Sequence, residues 1–149
     1  MFKFRPNLFN QEIGIDIGTV NTVIYLKSKG VVINEPSVIA VRNINRKGQK
    51  EIIAFGTAAK KMVGRTPADI TTVRPLSHGV IADFEMTQHM IRHFMTLAAG
   101  SASVFSHPRV AVCVPASVTE VEKRAVVEVT LAAGAKEAFV IEEPLAAAL

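Results

Sequence analysis

One short segment of the sequence combines the residue types needed to bind a phosphate group. Residues 16–22 read DIGTVNT, and Gly18 lets the backbone turn tightly and approach a ligand closely. Successive N–H groups in such a turn can point into one concavity that binds an anion. The hydroxyls of Thr19 and Thr22 and the amide of Asn21 can supply further donors. The segment therefore predicts a phosphate-binding turn.

Asp16 precedes this turn at the end of a predicted strand, where its carboxylate would face a bound phosphate. Two negative groups repel each other unless a divalent cation lies between them, and Mg²⁺ held through its waters suits that position. The turn contains no lysine, so it does not match the Walker-type pattern Gly-x-x-x-x-Gly-Lys. Taken alone, the segment is also compatible with a plain hairpin, because Asp, Gly, Thr and Asn are common turn formers.

Two acidic residues, Glu142 and Glu143, follow the last predicted strand and precede Pro144. Carboxylates at the end of a strand and the start of a helix are well placed to orient a water molecule. They are also compatible with a structural role at the positive end of the helix that Pro144 would begin. The residues alone favour this structural role.

The first predicted elements hold the phosphate turn. Residues 12–18 form a strand whose Ile13, Ile15 and Ile17 share one face, which is the pattern of a half-buried strand. A second strand over 22–27 follows after only a few residues, and this short spacing predicts a hairpin.

The chain then changes character. Short strands are predicted near residues 31–33, 38–41 and 52–55, and a helix over 57–63 ends at Gly64. Together these elements predict a small α+β insertion.

Longer elements return in the second half of the chain. Met86, Met90, Phe94 and Leu97 repeat at helical spacing and predict an amphipathic helix over 84–98. His89 and His93 lie four residues apart on this helix, but no third metal ligand accompanies them. We therefore expect the two histidines on a solvated helix face.

A strand–helix–strand unit is predicted at the end of the sequence. The apolar run 110–114 has the length of a strand covered on both faces, and Ser117 and Glu120 fit a capping box. The helix that they begin reaches residue 133, and a further strand follows over 138–141. Such a unit predicts parallel strands.

Composition is that of an ordinary globular domain, with 49% hydrophobic and 20% charged residues in a chain of 149. The net charge of +4 comes from scattered basic residues, so we expect no nucleic-acid partner. Cys113 is the one cysteine, and the lack of a disulfide framework fits a reducing cytoplasm. The sequence contains no apolar stretch of the roughly 18 residues that a spanning helix needs and no recognisable signal peptide.

The segment GIDIGTVNT at residues 14–22 resembles the first phosphate motif of the superfamily that contains actin, sugar kinases and heat-shock chaperone ATPases. Further segments, in order along the chain, are similar to the bacterial actin-like MreB family, whereas chaperones and sugar kinases share the first motif but not this set. These segments are NEPSV (34–38), GRTP (64–67), RPL (74–76), GVIADF (79–84), VCVP (112–115) and IEEP (141–144). The resemblance covers essentially the whole chain from residue 12.

This resemblance implies an actin-like, ribonuclease H-like α/β fold, in which a mixed sheet is flanked by helices and carries a small α+β insertion. Residues 1–32 and 78–149 would form the large subdomain, and residues 33–77 the small one. Only the first half of the full fold would be present, because the second phosphate motif and the adenosine-binding residues would follow Leu149. We therefore expect this fragment by itself to be inactive.

The resemblance also implies a function for the whole protein. It would be a cytoskeletal ATPase with ATP and Mg²⁺ as cofactors, whose filaments govern rod cell shape and cell-wall synthesis on the inner face of the cytoplasmic membrane. Its partners would be further copies of itself, the membrane surface and the cell-wall elongation machinery. Glu143 would orient the attacking water, and Glu142 would be a structural neighbour. The cofactor-binding residues would be Asp16, Gly18, Thr19, Val20, Asn21 and Thr22, with Asp16 holding Mg²⁺ through water.

Two apolar features predict contact with the membrane. Phe2 and Phe4 alternate with basic residues, a combination that suits an anionic membrane surface. Val104 and Phe105 lie after Gly100, where MreB proteins carry a small apolar loop used for membrane insertion. The alternative is an ordinary tail and a loop tucked into the core.

Two other functions remain open. A chaperone or sugar kinase shares the first phosphate motif, but the family-specific segments oppose it. A truncated, non-catalytic binding module would dock with partners or membrane without hydrolysing ATP. A reading frame that continues into a second phosphate motif would favour the ATPase, and a natural end at Leu149 would favour the binding module.

Overall fold

The computed structural model describes residues 12–44, 49–65, 68–100 and 107–142. These residues form ten strands and three helices. The first elements are β1 (Glu12–Ile17), β2 (Asn21–Leu26), β3 (Gly30–Pro36), β4 (Ile39–Asn43), β5 (Lys50–Phe55), α1 (Gly56–Met62) and β6 (Ile70–Val73). The remaining elements are β7 (Leu76–Ser77), β8 (Val80–Ile81), α2 (Phe84–Ala99), β9 (Arg109–Val114), α3 (Glu120–Ala132) and β10 (Glu137–Glu142).

The largest sheet is mixed and has the strand order β10-β9-β1-β2-β3. β1, β9 and β10 run parallel, whereas β2 and β3 continue from β1 as an antiparallel meander. The predicted hairpin and the predicted parallel strand–helix–strand unit are therefore both confirmed. The carboxyl ends of β1, β9 and β10 meet at one edge of the sheet, where open α/β folds bind ligands.

A second sheet, of order β5-β4-β6, carries α1. The chain passes from the first sheet to the second between Pro36, the last residue of β3, and Ile39, the first residue of β4. This sheet and α1 correspond to the predicted α+β insertion. The subdomain limits at residues 33 and 77 stay predictions.

Helices α2 and α3 cover one face of the large sheet. Ile13, Ile15 and Ile17 point toward them and are at most 6% exposed, as their alternation predicted. The prediction was wrong for Leu97, which is 54% exposed, whereas Ala98 is buried. The buried stripe of α2 keeps a four-residue step from Met86 through Met90 and Phe94 to residue 98, and position 97 falls outside it.

The start of α3 lies two residues later than the sequence indicated. Thr119, not Ser117, is the N-cap, and its hydroxyl accepts from the N–H of Glu122 at 3.3 Å. The Glu122 carboxylate accepts from the N–H of Thr119 at 2.6 Å and completes the capping box. Residues 115–118 are occupied by a turn, in which the N–H of Val118 donates to the carbonyl of Pro115, and this turn delays the helix.

The opposite face of the large sheet is open among the described residues. Tyr25 and Phe139 are 49% and 47% exposed there, and they line a groove of about 780 Å³. The guanidinium carbon of Arg109 lies 5.5 Å from the centre of the Phe139 ring. Within the described ranges, no helix combines the length and the apolar character required to cross a bilayer.

Candidate functional site

The predicted phosphate turn connects β1 to β2 through residues 18–20. The N–H of Gly18 donates to the carbonyl of Asn21 at 3.0 Å and closes the turn. A Cβ atom at position 18 would lie 2.6 Å from that same carbonyl oxygen, which is closer than real Cβ contacts. The close backbone approach therefore requires glycine at this position.

Ser37 holds the turn at two points. Its hydroxyl donates to the carbonyl of Gly18 at 2.7 Å, and its N–H donates to the carbonyl of Val20 at 2.9 Å. The hydroxyl of Thr22 lies 2.9 Å from that of Ser37, and both residues are fully buried. Because the Ser37 proton is directed to Gly18, Thr22 donates to Ser37. The Thr22 hydroxyl is thus turned inward, toward Ser37.

This arrangement determines the direction of two N–H groups. The described peptide bonds are all trans, and in a trans peptide the carbonyl and the following N–H point in opposite directions. The carbonyls of Gly18 and Val20 point to Ser37, so the N–H groups of Thr19 and Asn21 point away from it. In the part of the chain that the structure describes, the N–H of Thr19 donates to no acceptor. The turn thus presents backbone donors on the side opposite Ser37, as an anion site requires.

A second loop supports the turn from another direction. The hydroxyl of Thr19 accepts a hydrogen bond of 2.8 Å from the N–H of Gly79. His78 and Gly79 both have positive φ, 53° and 76°, which is the requirement of the tight two-residue hairpin that joins β7 and β8. Pro115, just after β9, lies directly against Gly79. Among the described residues the Thr19 hydroxyl donates to no acceptor, so its proton is available for a ligand.

Asp16 lies one residue before the end of β1, paired with Val23 of β2 and Cys113 of β9. Its side chain keeps contact with solvent, yet partial burial raises the pKa of this carboxyl above its ordinary value. A nearby cation would relieve this cost, since it favours the ionised carboxylate. Asn21 is tied to β3, because its side-chain amide donates to the Asn34 side chain at 2.9 Å.

Glu142, the first of the two predicted acidic residues, is the last residue of β10. Glu142 is in register with Val114 of β9 and accepts from the Lys123 ammonium at 3.0 Å, and Lys123 also contacts Glu120 at 2.9 Å. The hydrogen bonds that the Lys123 ammonium donates to Glu120 and Glu142 raise the pKa of Lys123. Glu142 thus joins β10 to the first turn of α3, which agrees with the structural role expected for it. Glu143 lies outside the described residues.

The sequence prediction identified the turn but missed the residues that orient it. Ser37, Asn34 and Gly79 contact the turn from 13 to 60 positions away in the chain. The available signal was a serine followed by the continuous apolar run VIAV, where a polar residue must find an internal partner. The residues predicted to touch the membrane, Phe2, Phe4, Val104 and Phe105, lie outside the described residues.

The donor set fits a phosphate group with a cation held through water. The turn offers backbone N–H groups and the Thr19 hydroxyl, and Asp16 is a single carboxylate at the same sheet edge. The described ranges contain no cluster of three His, Cys, Asp or Glu residues that could hold a metal. Mg²⁺ is bound in this way in many nucleotide sites, through one or two carboxylates, waters and phosphate oxygens rather than by a protein cage.

The histidines of α2 lie in different surroundings from those predicted. The His93 ring stacks on Phe55, with centroids 4.2 Å apart and an interplanar angle of 12°. Burial lowers the pKa of His93, and the charge of Glu35 opposes that shift. His89 is half-buried beside a polar cleft that Lys50 and Asp83 also line. The prediction of a solvated face was therefore wrong for His93, whose ring packs on Phe55 at the end of β5, whereas His89 stays partly exposed.

Curated relatives share the sequence over nearly its whole length. The chain is 48% identical over 147 residues to the cell shape-determining protein MreB of Escherichia coli K12, covering 99% of this chain and 42% of the relative. It is 44% identical over 142 residues to the cell shape-determining protein Mbl of Bacillus subtilis 168, covering 95% of this chain and 41% of the relative. The chain thus spans about two fifths of the length of these relatives.

Solved structures share the fold. MreB5 of Spiroplasma citri bound to AMPPNP matches 94% of this chain and 42% of its own with a TM-score of 0.78 and 35% identity. The MamK double helical filament matches 91% of this chain and 42% of its own with a TM-score of 0.72 at 19% identity, which supports the fold alone. The predicted actin-like α/β fold is therefore confirmed. The sequence also matches the family model described as MreB/Mbl protein over residues 10–149, and the chain belongs to the MreB/Mbl family.

Proposed function

We propose that this chain is the phosphate-binding N-terminal part of a bacterial actin-like cytoskeletal ATPase that binds ATP with Mg²⁺. The observation that carries the proposal is the orientation of the turn. Ser37 holds the carbonyls of Gly18 and Val20, so the N–H groups of Thr19 and Asn21 face the other side. A plain hairpin needs no such buried support. The relative MreB5 of Spiroplasma citri was solved with ADP and with AMPPNP, which supports a nucleotide as the ligand.

Each residue of the turn has a distinct role in this proposal. The N–H groups of Thr19, Val20 and Asn21 and the Thr19 hydroxyl donate to phosphate oxygens, Gly18 permits the close approach, and Thr22 supports the turn from behind. Asp16 holds Mg²⁺ through water and becomes fully ionised when it does so. The bound Mg–ATP supplies the phosphoanhydride bond that is cleaved. Glu143 positions the attacking water, an assignment that rests on the family resemblance.

The whole protein, in this proposal, forms filaments attached to the inner face of the cytoplasmic membrane. Its relatives are named cell shape-determining proteins, which supports a cytoskeletal role. Membrane attachment through Phe2, Phe4, Val104 and Phe105, and action with the cell-wall elongation machinery, are parts of the same proposal. The large subdomain comprises residues 1–32 and 78–149, and the small one residues 33–77.

A non-catalytic binding module is the second candidate. The open sheet face favours it, since Tyr25, Phe139 and Ile141 line an apolar groove without a cover among the described residues. Exposed apolar surface of this kind marks sites of protein contact. In this case the chain would dock through that face and would not need to bind nucleotide.

Binding of Mg-ATP and release of phosphate distinguish the two candidates. The measurement compares this 149-residue chain with the same chain extended to the full length of its relatives. We expect the extended protein alone to hydrolyse ATP. Glu143→Ala slows phosphate release without abolishing binding, and Asp16→Ala removes the Mg²⁺-dependent part of the binding. Glu12→Ala, on the same strand at its other end, is the matched control and leaves binding unchanged.

Two results would overturn the proposal. If the extended protein binds no nucleotide, or binds it equally with and without Asp16, the phosphate-turn assignment is wrong. The binding-module interpretation then becomes the better account.

A further inference from the structure

We propose that Ser37 is a positioning residue of the nucleotide site and that the segment Glu35–Val38 links the phosphate turn mechanically to helix α1. This inference rests on the proposed function and adds a specific route between the site and the second sheet. Ser37 stands between β3 and β4, where the chain leaves the large sheet, and it is fully buried. It carries no charge and faces away from the ligand side of the turn.

Three hydrogen bonds connect Ser37 to residues 18–22. Its hydroxyl and its N–H bind the carbonyls of Gly18 and Val20, and its hydroxyl also receives the Thr22 proton. The side chains of Ser37 and Thr22 are fully buried, so their hydroxyls have no solvent alternative, and the loss of one partner leaves a buried polar group without a hydrogen bond. The rotation of the Gly18–Thr19 peptide is therefore determined by the position of Ser37.

The same segment holds the start of α1. The N–H of Gly56 donates to the carbonyl of Val38 at 2.9 Å, and the N–H of Thr57 donates to the carboxylate of Glu35 at 2.6 Å. Phe55, the N-cap residue of α1, supplies no side-chain cap of its own. Glu35 therefore caps this helix from another sheet, and its charge is favourable at the positive end of the helix.

The segment Glu35–Val38 thus bonds to the phosphate turn through Ser37 and to the start of α1 through Glu35 and Val38. A ligand that draws the Thr19 or Asn21 N–H groups toward itself also moves the carbonyls on the opposite side of the same peptides. Those carbonyls are bonded to Ser37, so the movement reaches Val38, Gly56 and the end of β5. The reverse also holds, because coupling between two sites is reciprocal.

The test uses the chain extended to the full length of its relatives, with four variants. Ser37→Ala removes the hydroxyl but keeps the backbone bond to Val20. Thr22→Val removes the second hydroxyl while keeping a side chain of nearly the same shape, and Thr22→Ser keeps that hydroxyl. Ser28→Ala, an exposed serine in the turn at the other end of β2, is the matched control. The readouts are the affinity for Mg-ATP and the amide hydrogen exchange of Gly18, Gly56 and Thr57 with and without Mg-ATP.

We expect Mg-ATP to slow exchange at Gly56 and Thr57 in the unaltered protein and in Ser28→Ala. Ser37→Ala weakens Mg-ATP binding about tenfold, since one buried hydrogen bond contributes about that factor. It also removes the response at Gly56 and Thr57. Thr22→Val shows the same loss in smaller measure, and Thr22→Ser restores the response.

The measurements without nucleotide keep this inference separate from the proposed function. If the unaltered protein binds no Mg-ATP, the proposed function fails, and the link is judged from exchange in the free protein. There, Ser37→Ala must speed exchange at Gly18 and at Gly56 and Thr57 together. Faster exchange at Gly18 alone, or Mg-ATP binding and exchange equal to those of Ser28→Ala, would overturn the link. If Ser37→Ala does not fold, the comparison of Thr22→Val with Thr22→Ser decides the question by the same criteria.

Discussion

Thr19 accepts a 2.8 Å hydrogen bond from the N–H of Gly79, which lies 60 positions further along the chain. This bond connects the predicted phosphate turn to the tip of the β7–β8 hairpin. Gly79 has φ of 76° and packs against Pro115 at the end of β9. Gly79 therefore contacts both the phosphate turn, through Thr19, and the segment after β9, through Pro115. A substitution at Gly79 can be compared with one at a glycine of similar φ to separate backbone strain from packing.

Gly79→Ala will destabilise the protein more than Gly30→Ala does. Both glycines have nearly the same φ, 76° and 75°. A Cβ at position 79 would lie 2.9 Å from the Pro115 ring, whereas a Cβ at position 30 would have no neighbouring atom within 4 Å among the described residues. We expect about 1 kcal/mol for Gly30→Ala and about 2–3 kcal/mol for Gly79→Ala in the free energy of unfolding. Urea titration measures both values. Equal losses would mean that Pro115 does not constrain the hairpin.

Gly18→Ala will distort the phosphate turn. The new Cβ would approach the Asn21 carbonyl to 2.6 Å, and a backbone atom of a closed turn cannot move away at low cost. We expect a loss of about 1–3 kcal/mol in unfolding free energy and loss of Mg-ATP binding in the extended protein. Gly14→Ala is the control on the same strand, since its nearest neighbour is the Tyr25 Cβ at an ordinary 3.7 Å. Retained nucleotide binding in Gly18→Ala would argue against close backbone approach by a phosphate.

Asp16→Asn will raise stability in the absence of Mg²⁺ and nucleotide. Burial raises the pKa of Asp16 above the ordinary 3.8, so the folded chain holds this proton more tightly than the unfolded chain does. The contribution of Asp16 to stability is therefore present at low pH and is lost as pH rises through its folded pKa. We expect a higher urea midpoint for Asp16→Asn at pH 7, with the difference shrinking as the pH falls toward 3.8. A lower midpoint at pH 7 would contradict the desolvation of this carboxyl.

His93→Phe will flatten the dependence of stability on pH in mildly acidic solution. Burial lowers the pKa of His93 below 6.5, while Glu35 opposes the shift, so the unfolded chain takes up this proton first as the pH falls. The stability that neutral His93 contributes is present above 6.5 and is lost below it. Phenylalanine keeps the ring that stacks on Phe55 but cannot be protonated. Denaturant titrations at several pH values compare the variant with the unaltered chain, and parallel curves would contradict this role of His93.

Thr119→Ala and Ser117→Ala distinguish the observed start of α3 from the predicted one. Thr119 accepts the N–H of Glu122 and so caps the helix. We expect Thr119→Ala to lower the unfolding free energy by about 1 kcal/mol and Ser117→Ala to change it by less than about 0.5 kcal/mol. Thermal or urea unfolding measures the pair. A larger effect at Ser117 would restore the capping position inferred from the sequence.

Local pattern in the sequence determined the elements and the turn. The alternation of Ile13, Ile15 and Ile17 identified the buried face of β1, because successive strand residues point to opposite faces. Gly18 within DIGTVNT indicated the turn, since only glycine accepts the close backbone approach found there. These features depend on neighbouring residues, so their signal is contained in short segments. The same patterns failed for the burial of Leu97, which depends on where α2 meets its neighbours, and for the start of α3, which the turn at residues 115–118 delays.

Only the tertiary structure decided how the turn is held and what it faces. Ser37, Gly79 and Asn34 bind the turn through hydrogen bonds from distant positions, and no spacing rule in the sequence connects them. Burial, which depends on the tertiary structure, also determined two properties of the site. The Thr22 hydroxyl is turned inward, because a buried hydroxyl must find a protein partner. The pKa of Asp16 is raised, because its carboxyl loses part of its surrounding water.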